Sequence, residues 1–224
     1  MRGYGQYCPI ARGAEIFATR WTPLIVRNLL VGCQTFGEIR EGAPGIPRAL
    51  LTERLAQLEH YGVVERRPKP RGRGYVYELT DAGRELHAVC TALGTWGARW
   101  LELAPEHLDA HMVLWSMCRL MDPEELPDER IVVRFDLRDG QPRRFWVIAQ
   151  RPEPEVCVKP PGFDEDLVVR TDSEWLAKWQ MGWVSLGSAL RHGVMEVEGP
   201  RRLQRVLAGW AGRHEFADVK PARA

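Results

Sequence analysis

Arg66, Arg67, Lys69, Arg71 and Arg73 place five cations within eight residues, opposed there only by Glu65. Pro68, Pro70, Gly72 and Gly74 interleave them, so the segment carries no apolar side chain to dock it on a core. Cations held out in this way make no bonds; they neutralise phosphates, and each neutralised phosphate releases counterions. A second pattern lies just upstream. In RALLTERLAQLEHYG, residues 48–62, Leu51, Leu55 and Leu58 recur at helical spacing and point to a core. At about 100° per residue, Ala49, Thr52, Glu53 and Ala56 then face away, with Arg48 flanking them. That small, polar face suits the floor of a major groove roughly 12 Å wide. Arg48 fits guanine or a phosphate, Ala49 and Thr52 a thymine methyl, and Glu53 a cytosine amino group. Arg40, at the end of a preceding short helix, joins the set. A solvated helix or loop would explain either pattern alone, whereas a cationic hairpin directly after such a helix fits a wing beside a recognition helix.

No catalytic constellation accompanies them. The six histidines form no H-E-x-x-H motif, and neither a G-x-S-x-G elbow nor a phosphate-binding glycine loop occurs. His107 and His111 are four apart, but Pro105 precedes them and no carboxylate completes a site, so they read as surface residues. The five cysteines (Cys8, Cys33, Cys90, Cys118 and Cys157) are scattered without a C-x-x-C pair, which argues against a disulfide framework or a zinc centre. No catalytic residue, metal or cofactor is assigned.

The elements that position these residues follow from periodicity. Helices are expected at 10–20, at 22–31 with Thr22-Pro23 as cap and first position, at 35–40, and from Pro47 to Gly62. Strands at 63–67 and 75–79 flank the basic loop, and Thr80 caps a helix from Asp81 to about Leu103, before Ala104-Pro105. Beyond it come a helix at 111–121, the acidic segment DPEELPDE, and strands at 131–138, 143–150, 154–159 and 167–171. Asp139-Gly140-Gln141-Pro142 signals a hairpin between the first two. Asp172-Ser173 caps an amphipathic helix bearing Trp175 and Trp179; a helix at 184–191, a strand at 194–197 and a helix at 200–210 complete the chain. The class is α+β.

With 224 residues, 45% hydrophobic and 27% charged, the chain suits two globular domains, divided at 1–104 and 105–224. The net charge of +1 hides an asymmetry: residues 1–104 hold 14 Lys/Arg against 10 Asp/Glu, and the remainder 17 against 20. No apolar run reaches the roughly 18 residues of a membrane span, and the N-terminus lacks a secretory h-region, so the expected compartment is the cytoplasm and no membrane partner is expected.

Cys8-Pro9-Ile10, Arg20-Trp21, Phe36-x-x-Ile39-Arg40, Pro44-Gly45-Ile46, Leu51-x-x-x-Leu55-x-x-Leu58, Gly62-Val63-Val64-x-Arg66 and Tyr77-x-Leu79-Thr80-x-x-Gly83 occur in order over residues 7–100. In these the chain closely resembles the HxlR-type winged-helix regulators. The resemblance implies a homodimer that sets two recognition helices in adjacent major grooves of a double-stranded operator, with contacts from the N-terminal segment and the helix bearing Trp96 and Trp100. It also implies a sensing role for Cys8, which stands near Arg12 at a helix start, an environment that favours thiolate. Pro47 departs from the family's small polar cap and offers no donor to a phosphate.

Trp175, Trp179 and Trp183 are spaced i, i+4, i+8 and share a face if their helix continues past Gly182. Core packing alone accounts for such a stripe. A second resemblance adds an alternative. Val133-x-Phe135-x-Leu137-x-Asp139-Gly140, Leu167-Val168-Val169-x-Thr171-Asp172, Gly182 and Ala189-x-x-x-Gly193-x-Met195-x-Val197-x-Gly199 are similar to the sterol-carrier-protein-like fold over residues 110–210. That implies a sheet covered by helices around an apolar tunnel, with Phe135, Trp146, Trp175, Trp179 and Trp183 as ligand-binding candidates. The expected function is a sequence-specific DNA-binding regulator whose affinity a hydrophobic small-molecule effector modulates. The alternatives are a constitutive or Cys8-governed regulator whose C-terminal half is a dimerisation or partner platform, and, last, a lipid-modifying enzyme.

Overall fold

The computed structural model describes residues 3–139, 143–211, 214–220 and 222, and these are mixed α+β. They divide into two compact units, Met1–Gly94 and Thr95–Ala224.

The first unit holds α1 (Pro9–Phe17), α2 (Thr22–Leu30), α3 (Phe36–Glu41), α4 (Arg48–His60), β1 (Val64–Pro68), β2 (Tyr75–Leu79) and the start of α5 (Asp81–Trp100). Its core is the apolar stripe of each helix: Ile25 and Val26, Ile39, and Leu51, Leu55 and Leu58, none more than 2% exposed. A polar pair, buried Asn28 and half-buried Arg27, fixes α2 against α3. The Asn28 side-chain amide donates to the Ile39 carbonyl at 2.8 Å, while its oxygen accepts from Arg27, which also reaches the Gly42 carbonyl. Burial pulls the Arg27 guanidinium below its ordinary value, with Cys33 and Cys90 opposing the shift. Thr35 and Glu38 close a capping box on α3, and the Tyr77 N–H donates to the Gln34 carbonyl at 2.8 Å, adding an edge to the hairpin.

The start of α2 differs from expectation. Thr22 lies inside the helix, 1% exposed, its hydroxyl 2.7 Å from that of Thr19. The N-cap is Trp21, held left-handed at φ 78°. Thr80 does cap α5, accepting from the Gly83 N–H at 3.2 Å. α5 ends at Trp100, three residues earlier than Leu103.

The second unit places β3 (Ile131–Leu137), β4 (Arg143–Ala149), β5 (Glu155–Cys157), β6 (Leu167–Thr171) and β7 (Met195–Glu198) in one sheet, ordered β5-β4-β3-β6-β7. Only β3–β6 is parallel; the other pairs are antiparallel. Of the expected hairpin turn, Gly140, Gln141 and Pro142 lie outside the described residues. Ile131, Val133, Phe135 and Leu137 of β3, Phe145, Val147 and Ala149 of β4, and Leu167 and Val169 of β6 point into one core with α6 (Ala110–Leu120), α7 (Ser173–Gln180), α8 (Leu186–Arg191) and α9 (Arg201–Ala208). On the other face Asp136 sits among Arg134, Arg144 and Arg170 at 2.9, 3.4 and 3.8 Å. α7 is not capped by Asp172, which makes no side-chain cap bond. Asp139 supplies it from 34 residues away, accepting from the Ser173 N–H at 3.0 Å.

Two outcomes follow. A Cβ on Gly83 would run into the Val63 carbonyl oxygen and lie 2.9 Å from Leu79 Cδ2. Gly83→Ala is therefore expected to cost about 1–3 kcal/mol, read by urea denaturation. For Asp139, partial burial raises its carboxyl, but the Ser173 hydrogen bonds and nearby Arg143 outweigh this and hold it below the ordinary aspartate value. The cap therefore stabilises fully above about pH 4 and is lost as pH falls through the lower folded value. Asp139→Ala should cost about 1 kcal/mol at pH 7, with the Tm gap from wild type shrinking steadily below pH 4.

Candidate nucleic-acid interface

α4 buries its leucine stripe and presents Arg48, Ala49, Thr52, Glu53 and Ala56 to solvent. Pro47 is its N-cap, extended at φ −64° and without a side-chain cap bond, so no hydroxyl stands there. The Thr52 hydroxyl donates to the Arg48 carbonyl at 3.0 Å, leaving its methyl and an acceptor lone pair for a base edge. Glu53 is held along the helix by Arg54 at 3.1 Å and Gln57 at 3.2 Å. The Arg48 guanidinium lies 5.3 Å from the centre of the half-buried Phe36 ring, and Arg40 is exposed at the end of α3.

Arg54 is a positioning residue that the leucine pattern does not reveal. Its side chain is 11% exposed, and it donates to Gln57 at 2.8 Å and to the Arg20 carbonyl at 3.4 Å. It thereby ties α4 to the turn before α2. Its position three residues after Leu51, beside the buried stripe, is the available signal.

The hairpin runs in register from Val64↔Leu79 to Pro68↔Tyr75, and the Lys69 N–H donates to the Gly74 carbonyl at 3.1 Å across its mouth. Gly72 and Gly74, at φ 82° and 113°, take conformations other residues rarely adopt. The five cations divide into two groups. Arg66 stacks on Tyr75 at 3.5 Å, and Arg67 pairs with Glu65 at 2.7 Å and Glu78 at 3.4 Å. The Arg67 hydrogen bond and charge draw the Glu65 carboxyl below its ordinary value. Lys69, Arg71 and Arg73 at the tip make no ion pair among the described residues; Arg71 and Arg73 are exposed and Lys69 is half-buried.

Cys8 is half-buried as the N-cap of α1, its carbonyl accepting from the Arg12 N–H at 3.0 Å. Burial and Glu155 push the Cys157 thiol up, which keeps it protonated and a poor nucleophile. The five aromatic candidates of the second unit differ in sheet face and burial. Phe135 and Trp179 are core residues, 0% and 1% exposed, and Trp175 packs beside that core under the Lys178 ammonium at 4.5 Å. α7 stops at Gln180, and Gly182 turns the chain at φ 78°, which leaves Trp183 38% exposed. Trp146 pairs with Arg134 on the opposite sheet face from Phe135, its indole N–H donating to Glu165 at 2.8 Å.

Three stacked helices, a recognition-type helix and a two-stranded hairpin define a winged helix-turn-helix. The HxlR-like helix-turn-helix family matches residues 16–105. The HTH-type transcriptional regulator YvaP of Bacillus subtilis is 36% identical over 106 residues, 46% of this chain and 96% of that protein. YodB of the same organism, also an HTH-type transcriptional regulator, is 35% identical over 97 residues, 42% of this chain and 87% of its own. The crystal structure of diamide-treated YodB aligns with 41% of this chain and 93% of its own, at 35% identity and a TM-score of 0.36. The chain belongs to the HxlR-like helix-turn-helix family, whose named relatives are transcriptional regulators and not enzymes. Among the described residues no helix is long and apolar enough to cross a membrane.

Proposed function

We propose that this regulator binds an operator as a homodimer, through a DNA-binding domain at 1–104, and that residues 105–224 form a sterol-carrier-like domain for a small apolar effector. The observation that carries the DNA reading is the open face of α4 beside three tip cations that make no ion pair among the described residues. Arg48, Ala49 and Thr52 face base edges; Arg40, Lys69, Arg71 and Arg73 face phosphates; Glu53 has a smaller part, because Arg54 and Gln57 already hold it. Arg66 and Arg67 stiffen the wing and add long-range charge. A dimer is supported by exposed apolar residues on α5 (Val89, Leu93, Trp96 and Trp100, spaced 4, 3 and 4) and by exposed Tyr7 and Ile10 near α1. A sheet covered on one face by four helices supports the second domain.

Binding to a duplex from upstream of its own coding sequence, followed by fluorescence anisotropy across a salt series, tests this. Two chains should bind per duplex. Arg71→Gln with Arg73→Gln should weaken binding at every sequence and flatten the slope of log K against log salt by about 2, at roughly 0.9 per phosphate. An unchanged slope removes the wing from the interface.

A second reading rests on Cys8 as a half-buried thiol at a helix N-cap. Here oxidation of Cys8, and no ligand, releases DNA. Peroxide or quinone should then dissociate the wild-type complex and leave Cys8→Ser bound; equal release from both ends this reading.

A further inference from the structure

In the second unit, α9 turns its apolar residues inward and its arginines outward. Leu203, Leu207 and Trp210 are each at most 7% exposed and belong to the core, while Arg201, Arg202 and Arg205 are exposed. At about 100° per residue the three arginines fall within one quarter to one third of the helix surface, and exposed Ala208 borders them. Among the described residues none of the three makes an ion pair. Several other arginines of this unit are paired: Arg138 with Glu196 at 2.9 Å, Arg144 with Asp136 at 3.4 Å and Arg151 with Asp128 at 3.6 Å. Glu198, the carboxylate next to α9 in the chain, is held by Arg170 at 3.0 Å. Asp122 and Glu125 share a pocket lining with Val206 and Gly209, nearer the other end of the helix. The first turn of α9 holds no acidic residue, and the field of a helix N-terminus is itself positive, so these arginines do not serve the helix that carries them.

Lipid headgroups, an acidic protein and a nucleic-acid backbone all attract such a face. A basic amphipathic helix reaches a bilayer by inserting its apolar side, and that side of α9 is already packed in the core. A nucleic-acid backbone is repetitive. One strand of a duplex sets a charge every ~3.4 Å of axis, and four helical residues advance about 6 Å, so Arg201 and Arg205 meet neighbouring phosphates without a matched protein surface. The helix-turn-helix on the same chain brings a duplex to this face at high effective concentration, an advantage that a separate acidic protein lacks.

We infer that the arginine face of α9 binds the phosphate backbone of duplex DNA and adds sequence-independent contacts to those of the winged helix. The inference rests on the operator reading above.

Fluorescence anisotropy of the full chain across a salt series tests it, on the upstream duplex extended well past the protected footprint and on a scrambled duplex of equal length. Arg201→Gln, Arg202→Gln and Arg205→Gln together should weaken binding to both duplexes, by about tenfold or more at low salt, and flatten the slope of log K against log salt by about 3 per chain, at roughly 0.9 per phosphate. All three positions are exposed, so circular dichroism should stay as wild type. Arg130→Gln, Arg143→Gln and Lys159→Gln make the same charge change at exposed positions elsewhere on the second unit and should leave the slope as wild type. Wild-type slope in the α9 variant overturns the inference, leaves the operator reading standing and makes an acidic protein the better occupant. Equal flattening by both triple variants also overturns it, because net charge then accounts for the effect. A wild-type chain that binds neither duplex ends the operator reading and this inference together.

Discussion

The helix-turn-helix depends on two neighbouring polar side chains, buried Asn28 and half-buried Arg27, packed between α2 and α3. Asn28 is completely buried, and an unmet amide there would cost about 1–3 kcal/mol. It is met by one geometry, with the Ile39 carbonyl on one side and Arg27 on the other. Arg27 carries the constraint on to the Gly42 carbonyl, at the turn that leads into α4. Apolar packing alone allows neighbouring helices to slide by small amounts at little cost, but a buried donor with one acceptor does not. The pitch of α4, and with it the direction of Arg48 and Thr52, is set here. Arg54 repeats the lock from the other side through the Arg20 carbonyl.

The element order was largely legible because each helix and strand carries its own period. Leu51, Leu55 and Leu58 cannot all be buried without turning Ala49 and Thr52 outward, so the exposed face of α4 follows from the sequence alone. The same rule explains Trp146. Strand parity puts it opposite Phe135, and counting along β4 from Phe145 would have separated the two. Interactions at long separation carry no such period. The Asp139 cap of α7 spans 34 residues, and a local Asp172-Ser173 pair offered a closer but unused candidate. Trp21 likewise occupies a left-handed cap because buried Thr22 bonds back to Thr19, a tertiary demand that no cap preference encodes.

Charge was legible as a total and not as a distribution. Five wing cations look equivalent in the chain, yet Arg66 and Arg67 have partners on their own hairpin and the tip residues do not. The difference follows from cross-strand register, which sets Arg67 across from Val76 and within reach of Glu78. A paired arginine has already given up part of its hydration and its freedom, so it gains less from a phosphate than an unpaired one.

The second unit's sheet ends in β5, three residues long, and in β7, which carries Glu196 and Glu198 on one face. An open strand edge invites another strand, and the shortest edge gives the newcomer little to hydrogen-bond. At β7 the obstacle is electrostatic. Two copies meeting there antiparallel about Val197 would set Glu196 of one against Glu198 of the other, like charges facing across a new ladder. The sheet is thus poorly suited to extending itself from molecule to molecule, a protection against fibrous aggregation that leaves helical surfaces as the better route to assembly.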